Sequence, residues 1–444
     1  MKLNVAKQTI RTHEGAPAKH INPELQLRRS VMSCMLWEGE FYENGESISK
    51  RIGETIAKVR PEAVAAIAVE AREKMKLRHV PLLIVREMAR LASHKGHVAE
   101  TLSRVIQRPD ELTEFLAIYW KDKRQALSAQ VKRGLAAAFQ KFNAYSLAKY
   151  NRDGAIKLRD VLFLSHAKPK DDEQDKLWKQ LIDGTLPTPD TWEVELSSGK
   201  DKKEAWARLL SENKLGALAL LRNLRNMKQA GISDDAMRHA LNVIKPQRVL
   251  PFRFIAAARF APNLEPELEQ AMFKCLTDKS KIPGLTVLMV DVSGSMDASI
   301  SGKSDLQRLD AACGLAMLAR ELCEKVAVVT FSEKLVVVPA RRGFALRDAI
   351  VQSQSHGGTY LGEAVSQIKN EEFDRLIVIS DEQAHDPVPD IGRKAYMINV
   401  ASNKNGVGYG SWTHIDGWSE AVLDFIKELD GSQEVLAETS SQGW

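Results

Sequence analysis

The chain has 444 residues, room for roughly two to four domains of ordinary size, and at 44% hydrophobic and 27% charged it can bury a core and is not a disordered polyampholyte. Its net charge of +5 hides a split: residues 1–282 carry 49 basic and 35 acidic side chains, a surplus of 14 positive charges, while residues 283–444 carry 14 and 23, a surplus of nine negative charges. The first part favours polyanions; the second repels them and can hold cations.

Before Pro283 the apolar residues recur with helical spacing. Leu27, Val31 and Met35 open the series, and Ile48, Ile52 and Ile56 repeat it. Val64, Ile67, Ala71 and Met75, then Ile84, Met88 and Leu91, then Leu112, Phe115, Leu116 and Tyr119, then Leu135, Phe139 and Phe142, and later Leu218, Leu221 and Leu224, Met237, Leu241 and Ile244, and Leu268, Met272 and Cys275 continue it. This predicts helices of about 12–18 residues joined by short connections and stacked in pairs as a solenoid, although an irregular bundle gives the same periodicity. Asn151 to Gly154 reads as a turn, and the acids Asp171, Asp172, Glu173 and Asp175 mark a helix start after Pro169. Residues 184–202 are predicted as the longest non-helical insertion. The basic pairs Lys123-Arg124 and Lys132-Arg133 fall near helix ends, where solvated surface and ligand contact are both open. No apolar run approaches the ~18 residues of a membrane span, and the first fifteen residues contain no apolar targeting core, so a soluble cytoplasmic protein with no membrane partner is expected. Cys34, Cys275, Cys313 and Cys323 form no C-x-x-C pair, which argues against a disulfide framework or a structural zinc site.

After Pro283 the period changes. LTVLMVDVSGSM at 285–296 is an apolar strand running into a polar turn, and 304–322 is an amphipathic helix. Strands follow at 326–332 and 335–340, joined by the Glu333-Lys334 turn, which implies one antiparallel edge hairpin. A helix at 359–369, strands at 374–381 and 395–401, and a closing helix at 419–429 complete a mainly parallel, doubly wound α/β sheet.

Ligands of such sheets bind at the carboxyl ends of the strands. That rim carries Asp291, Ser293 and Ser295, then Thr359 after His356-Gly357-Gly358, then Asp381. All five are hard oxygen donors, suited to Mg²⁺, Mn²⁺ or Ca²⁺ rather than zinc. Ser293 and Thr359 could instead cap the helices that follow them. The pattern D-x-S-x-S, G-G-T and a strand-terminal Asp resembles the metal-ion-dependent adhesion site of von Willebrand factor A domains, which implies a bound divalent metal ion, Mg²⁺ first among the candidates.

Further segments extend the resemblance to the Ro ribonucleoprotein autoantigen family. Residues 24–46, 147–169 (LAKYNRDGAIKLRDVLFLSHAKP), 206–227 and 250–258 are similar to its TROVE module, and 412–426 is similar to the end of its A domain. The resemblance implies an all-α, HEAT-like helical repeat ring over residues 1–282, a von Willebrand factor A domain over 283–430 that closes it, and a tail at 431–444. It implies a monomeric ring whose basic hole takes single-stranded 3′ ends of misfolded noncoding RNA, with a Y RNA or Y-like RNA on the outer surface and an exoribonuclease tethered through RNA. The positions that match the module's RNA-binding segment are Lys149, Arg152, Arg159, His166 and Lys168. Asp153 departs from it, standing where relatives carry a basic residue, and this predicts one phosphate contact fewer. On its residues alone His166 reads first as a helix-terminal side chain bonding free carbonyls, and it is the resemblance that makes it an RNA contact. Trp37, Phe41 and Tyr42 read as core, with base stacking as the alternative.

No G-x-x-x-x-G-K-[ST] loop or G-x-S-x-G elbow is present, and hydroxyl ligands suit gripping rather than hydrolysis, so the chain is not expected to be an enzyme. RNA quality control is the function expected, and a protein-interaction scaffold whose metal grips an acidic residue of a partner is the alternative.

Overall fold

The structure is a computed structural model that describes residues 10–11, 17–18, 22–33, 45–199, 201–246, 249, 252–276, 279–300, 306–401 and 412–416, together with 422–423, 426–427 and 430. The described residues of Asn22–Trp37 and Gly45–Lys200 form one compact unit, and those of the rest of the chain form another.

The first unit is helical: α1 (Pro23–Ser33), α2 (Gly45–Ile56), α3 (Pro61–Glu73), α4 (His79–Arg90), α5 (Lys95–Val105), α6 (Pro109–Tyr119), α7 (Ala129–Phe139), α8 (Ala144–Tyr150), α9 (Leu158–Ser165), α10 (Asp172–Asp183) and α11 (Trp192–Ser197). The apolar stripes point into one core that runs from Leu27 and Ile48 through Phe115 and Phe139 to Leu181. These described helices are 6 to 13 residues long, and most of them fall short of the 12–18 predicted. The left-handed cap at His166 stops α9 after eight residues. Residues 184–202 are not wholly irregular: Thr191 caps α11 by accepting from the Val194 N–H at 3.3 Å. A six-residue helix with no buried face leaves no periodic trace, so the sequence pattern passed over it.

Two packing devices hold this unit. At Gly134 of α7 the chain passes so near α5 that a Cβ would stand 2.9 Å from the Ala99 carbonyl oxygen. Between α3 and α6, Arg72 donates to Glu111 at 2.7 Å, with both side chains buried. Glu111 also accepts from the backbone N–H groups of Gln107 at 2.7 Å and Arg108 at 3.0 Å, so one carboxylate serves a tertiary ion pair and the start of α6.

The second unit contains the short antiparallel pair β1 (Ile10–Arg11) and β2 (Pro17–Ala18) and five helices, α12 (Lys202–Ser211), α13 (Ala217–Gln229), α14 (Asp234–Val243), α15 (Phe252–Phe260) and α16 (Glu265–Phe273). A six-stranded sheet follows in the order β5-β4-β3-β6-β7-β8, formed by β3 (Ile282–Asp291), β4 (Cys323–Phe331), β5 (Leu335–Val337), β6 (Arg375–Ser380), β7 (Lys394–Asn399) and β8 (Thr413–Asp416). β5 pairs antiparallel to β4 and every other pairing is parallel. Helices α17 (Arg308–Leu322), α18 (Gly343–Val351) and α19 (Leu361–Ile368) flank it. The doubly wound sheet and its edge hairpin are as the sequence predicted. β8 and α18 were not foreseen, because four residues reading Thr-His-Ile-Asp and a nine-residue helix are too short to impose a period. Of the predicted closing helix only part lies within the described residues, and 431–444 lies outside them.

Polar contacts tie α15 and α16 to the sheet's own helices. Arg259 pairs with Asp310 at 2.8 Å, Arg347 with Glu265 at 3.0 Å, and the Phe344 N–H donates to Glu269 at 2.7 Å.

Glu111→Ala should lower the stability of the chain by about 3–5 kcal/mol, since it strands the buried Arg72 guanidinium, and Arg72→Met/Glu111→Leu should recover most of that loss. Urea unfolding midpoints of the two variants check this.

Candidate functional site

The chain leaves β3 for β4 on one side and returns to β6 on the other, so the topological switch point lies where β3 and β6 end. Val290 is in register with Ile379, which brings Asp291 beside Ser380. Ser380 Oγ donates to Asp291 Oδ2 at 2.7 Å, and the Ser293 N–H donates to Asp291 Oδ1 at 2.8 Å. Ser293 Oγ and Ser295 Oγ stand 3.2 Å apart. The Gly-Gly-Thr loop is drawn to the same place: the Gly294 N–H donates to Gly357 O at 3.0 Å, and Ser332 Oγ receives the Gly357 N–H and donates to Gly358 O. Asp297 and His356 hold the two loops from outside at 3.1 Å. Thr359 is buried, its N–H donating to His385 Nδ1 at 3.0 Å.

Asp291, Ser293 and Asp381 have no exposed surface. Burial first, and then the charge of Asp381, push the Asp291 carboxyl up to about 7. Two carboxylates that repel each other inside a rim of hydroxyl oxygens form a donor set that suits a hard dication. Among the described residues no cluster of three or more His, Cys, Asp or Glu side chains is placed to hold a metal ion. This centre has only two carboxylates, and its other candidate donors are the hydroxyls of Ser293, Ser295 and Thr359. The sequence pattern missed Arg308, the buried first residue of α17, whose Nη1 reaches Asp381 Oδ2 and the Ser295 carbonyl, each at 3.4 Å. An arginine between Gln307 and Leu309 looks like any helix-opening surface residue, and only the tertiary fold turns it inward.

The predicted RNA-binding residues lie in the first unit. Lys149 sits on α8 with its Nζ 5.9 Å from the Tyr150 ring centroid, Arg152 is exposed in the loop, and Arg159 is exposed on α9. His166 caps α9 in the left-handed region, with φ 53°, and the backbone N–H rather than the imidazole meets the free carbonyls of Leu162 and Phe163. Its ring faces solvent, Nε2 standing 3.3 Å from Lys132 Nζ. Lys168 is exposed, and its carbonyl accepts from Gln140 Nε2 at 2.8 Å. Asp153 pairs with Lys157 at 2.7 Å, so it neutralises a neighbouring cation, and that pairing holds its carboxyl below the usual range.

Of the five predicted residues, His166 alone lines the cavity of about 530 Å³ bounded by Trp120, Arg124, Lys132, Phe163 and His166. Phe163 is 58% exposed there. Arg124 and Lys132 belong to the two basic pairs seen in the sequence. Phe163 could also have been found: Leu158, Val161, Leu162 and Ser165 form the buried stripe of α9, and Phe163 is a large apolar residue off that stripe. Trp37, Phe41 and Tyr42 lie outside the described residues.

Fold and site define a protein with an array of short helices followed by an α/β domain whose switch point holds two buried carboxylates beside the loops that carry Ser293, Ser295 and Thr359. Residues 183–299 match the TROVE domain and residues 286–383 match the von Willebrand factor type A domain. Telomerase protein component 1 of Mus musculus and that of Rattus norvegicus are 23% and 22% identical to it. Each match covers 53% of this chain and 12% of the relative, so this chain spans only a small part of those proteins. The crystal structure of Deinococcus radiodurans RO (RSR) protein has the same fold, with a TM-score of 0.59 and 18% identity over 91% of this chain and 98% of that one. The resemblance read from the motifs is thus borne out.

Ser380→Ala removes a hydrogen bond to a buried carboxylate and should lower stability by about 1.5–3 kcal/mol. Thermal melts beside those of Ser366→Ala, whose hydroxyl bonds only a carbonyl of its own helix, check that the loss comes from the strand-end hydroxyl, which donates to Asp291 and also accepts the Glu382 N–H.

Proposed function

We propose that the chain is a noncoding-RNA-binding protein without catalytic chemistry of its own, and that its first unit grips single-stranded RNA around His166. The RNA classes that the resemblance implies are 3′ ends of misfolded RNA and a Y or Y-like RNA, with an exoribonuclease recruited through the latter.

The observation that carries the reading is the left-handed backbone of His166. A non-glycine residue there costs about 1 kcal/mol that glycine would not. The strained cap turns an imidazole into solvent beside Lys132 and the exposed Phe163, and so supplies what single-stranded RNA needs: cations for phosphates and a ring face for a base. The surplus of 14 positive charges over residues 1–282 supports the same partner. Among the described residues no helix is long and apolar enough to cross a membrane.

We infer further that Asp291, Ser293, Ser295, Thr359 and Asp381 hold a divalent metal ion, most simply Mg²⁺. Bound there, the ion would offset the repulsion between the two carboxylates and offer an electrophilic position to an acidic group of a partner protein.

His166→Gly/Lys168→Ala should bind a single-stranded oligonucleotide about tenfold or more weakly while melting no lower than the parent, since glycine relaxes the cap. Unchanged affinity in a gel-shift titration would reject the assignment. Binding by the parent should fall roughly 10³-fold between about 50 and 200 mM salt if some six phosphates are contacted. Mg²⁺ should raise the melting temperature, and Asp291→Ala should abolish that rise and leave the gel shift intact, because the site lies in the acidic part of the chain.

A further inference from the structure

In the second unit, α13 and α15 enclose a cavity of about 330 Å³. Arg222 and Arg225 of α13 and Arg253 and Arg259 of α15 line it, together with Phe260 and Leu306. No carboxylate lines it among the described residues. The charge of Arg259 is met by Asp310 at 2.8 Å. Arg222 and Arg225 are exposed and form no ion pair with any described carboxylate. The Arg225 guanidinium lies over the Phe260 ring, 4.9 Å from its centroid, and that ring is 41% exposed. Burial first, and then Arg222 beside it, hold the Arg253 guanidinium below its ordinary range.

Gathering like charges around a half-enclosed space costs energy that an anion returns, and planar guanidinium forks match phosphate oxygens in pairs. An acidic peptide would satisfy the charges too. It would leave the exposed aromatic ring without a flat partner, whereas a nucleotide brings a phosphate and a base together. The volume is at the lower end of ligand sites, about 300–1,000 Å³, which suits one nucleotide unit and excludes a duplex.

We propose that this cavity is a second nucleotide subsite, in which Arg222 and Arg253 take the phosphate of one nucleotide unit and Phe260 receives its base. It rests on the reading of the chain as an RNA-binding protein and adds a contact point in the other compact unit. The phosphate chemistry is the same whether the unit belongs to a strand or is a free nucleotide.

The test uses the full chain, a fluorescent oligouridylate for the strand, and AMP and inorganic phosphate for the free forms. Arg222→Gln/Arg225→Gln should bind the oligouridylate about tenfold or more weakly, and its slope of log affinity against log salt should fall by about 1–2, at an unchanged melting temperature. Arg222→Lys/Arg225→Lys keeps the charge but loses the planar forks, and should fall between the parent and the glutamine variant. If AMP stabilises the parent and not the glutamine variant while the oligouridylate affinity is unaltered, the subsite stands with a free nucleotide as its ligand. Parent-like affinity for the oligouridylate and for AMP in the glutamine variant would overturn the proposal, as would displacement of the oligouridylate by oligoglutamate that this variant abolishes. His166→Gly/Lys168→Ala, run alongside, separates the two sites: loss of oligouridylate affinity there alone, with AMP acting equally on the parent and the glutamine variant, leaves the first reading intact and removes this one, and loss in the arginine variant alone does the reverse.

Discussion

Like charges do not share a dry site without something between them, and Asp291 and Asp381 are both buried at the carboxyl edge of one parallel sheet. The parallel pairing of β3 with β6 brings the two strand ends together, the loop after each strand turns its hydroxyls and N–H groups toward them, and Arg308 answers part of the charge. The N–H of Ser293 and the hydroxyl of Ser380 are hydrogen bonds that the carboxylate of Asp291 would otherwise have found in water. The local architecture of the α/β domain, from the Gly294–Gly357 contact to the bridging hydroxyl of Ser332, follows from keeping these groups satisfied.

The first unit solves a different problem. Short helices bury little surface each, so stability comes from the continuous core between neighbours and from a few buried polar links such as Arg72–Glu111. With the interior settled that way, the helix ends are left to carry charge. Lys132, His166 and Lys168 stand at or just beyond such ends, where a side chain can face solvent on a backbone that the packed turns hold in place. The strain at His166 belongs to this arrangement, because the surrounding helices over-determine the cap.

The two parts also divide the electrostatics. Basic groups on α13 and α15 gather around an open cavity, whereas in the α/β domain Asp310 is paired with Arg259 and Asp291 and Asp381 are turned inward at the strand ends. A polyanion and a cation can therefore be accommodated by one chain without competing for the same surface.

Much of this was legible in the residues. Apolar runs flanked by helical stripes specify a parallel sheet, and D-x-S-x-S, G-G-T and a strand-terminal Asp pick out the rim, because strand direction and the switch point are dictated by chain order. Periodicity marked the helical core from Leu27 to Phe142, because each stripe there reports its own burial. What the sequence could not determine was which exposed groups meet. Arg308 is buried by the strand ends it faces, Phe163 shares a cavity with Lys132 because α7 brings that lysine to it, and Arg222 meets Arg253 because α13 packs on α15. The short elements β8, α11 and α18 were equally invisible, since four to nine residues impose no period of their own and are held by neighbours far away in the chain. Local pattern determines what a segment buries; the juxtaposition of charges and rings is decided by tertiary packing alone.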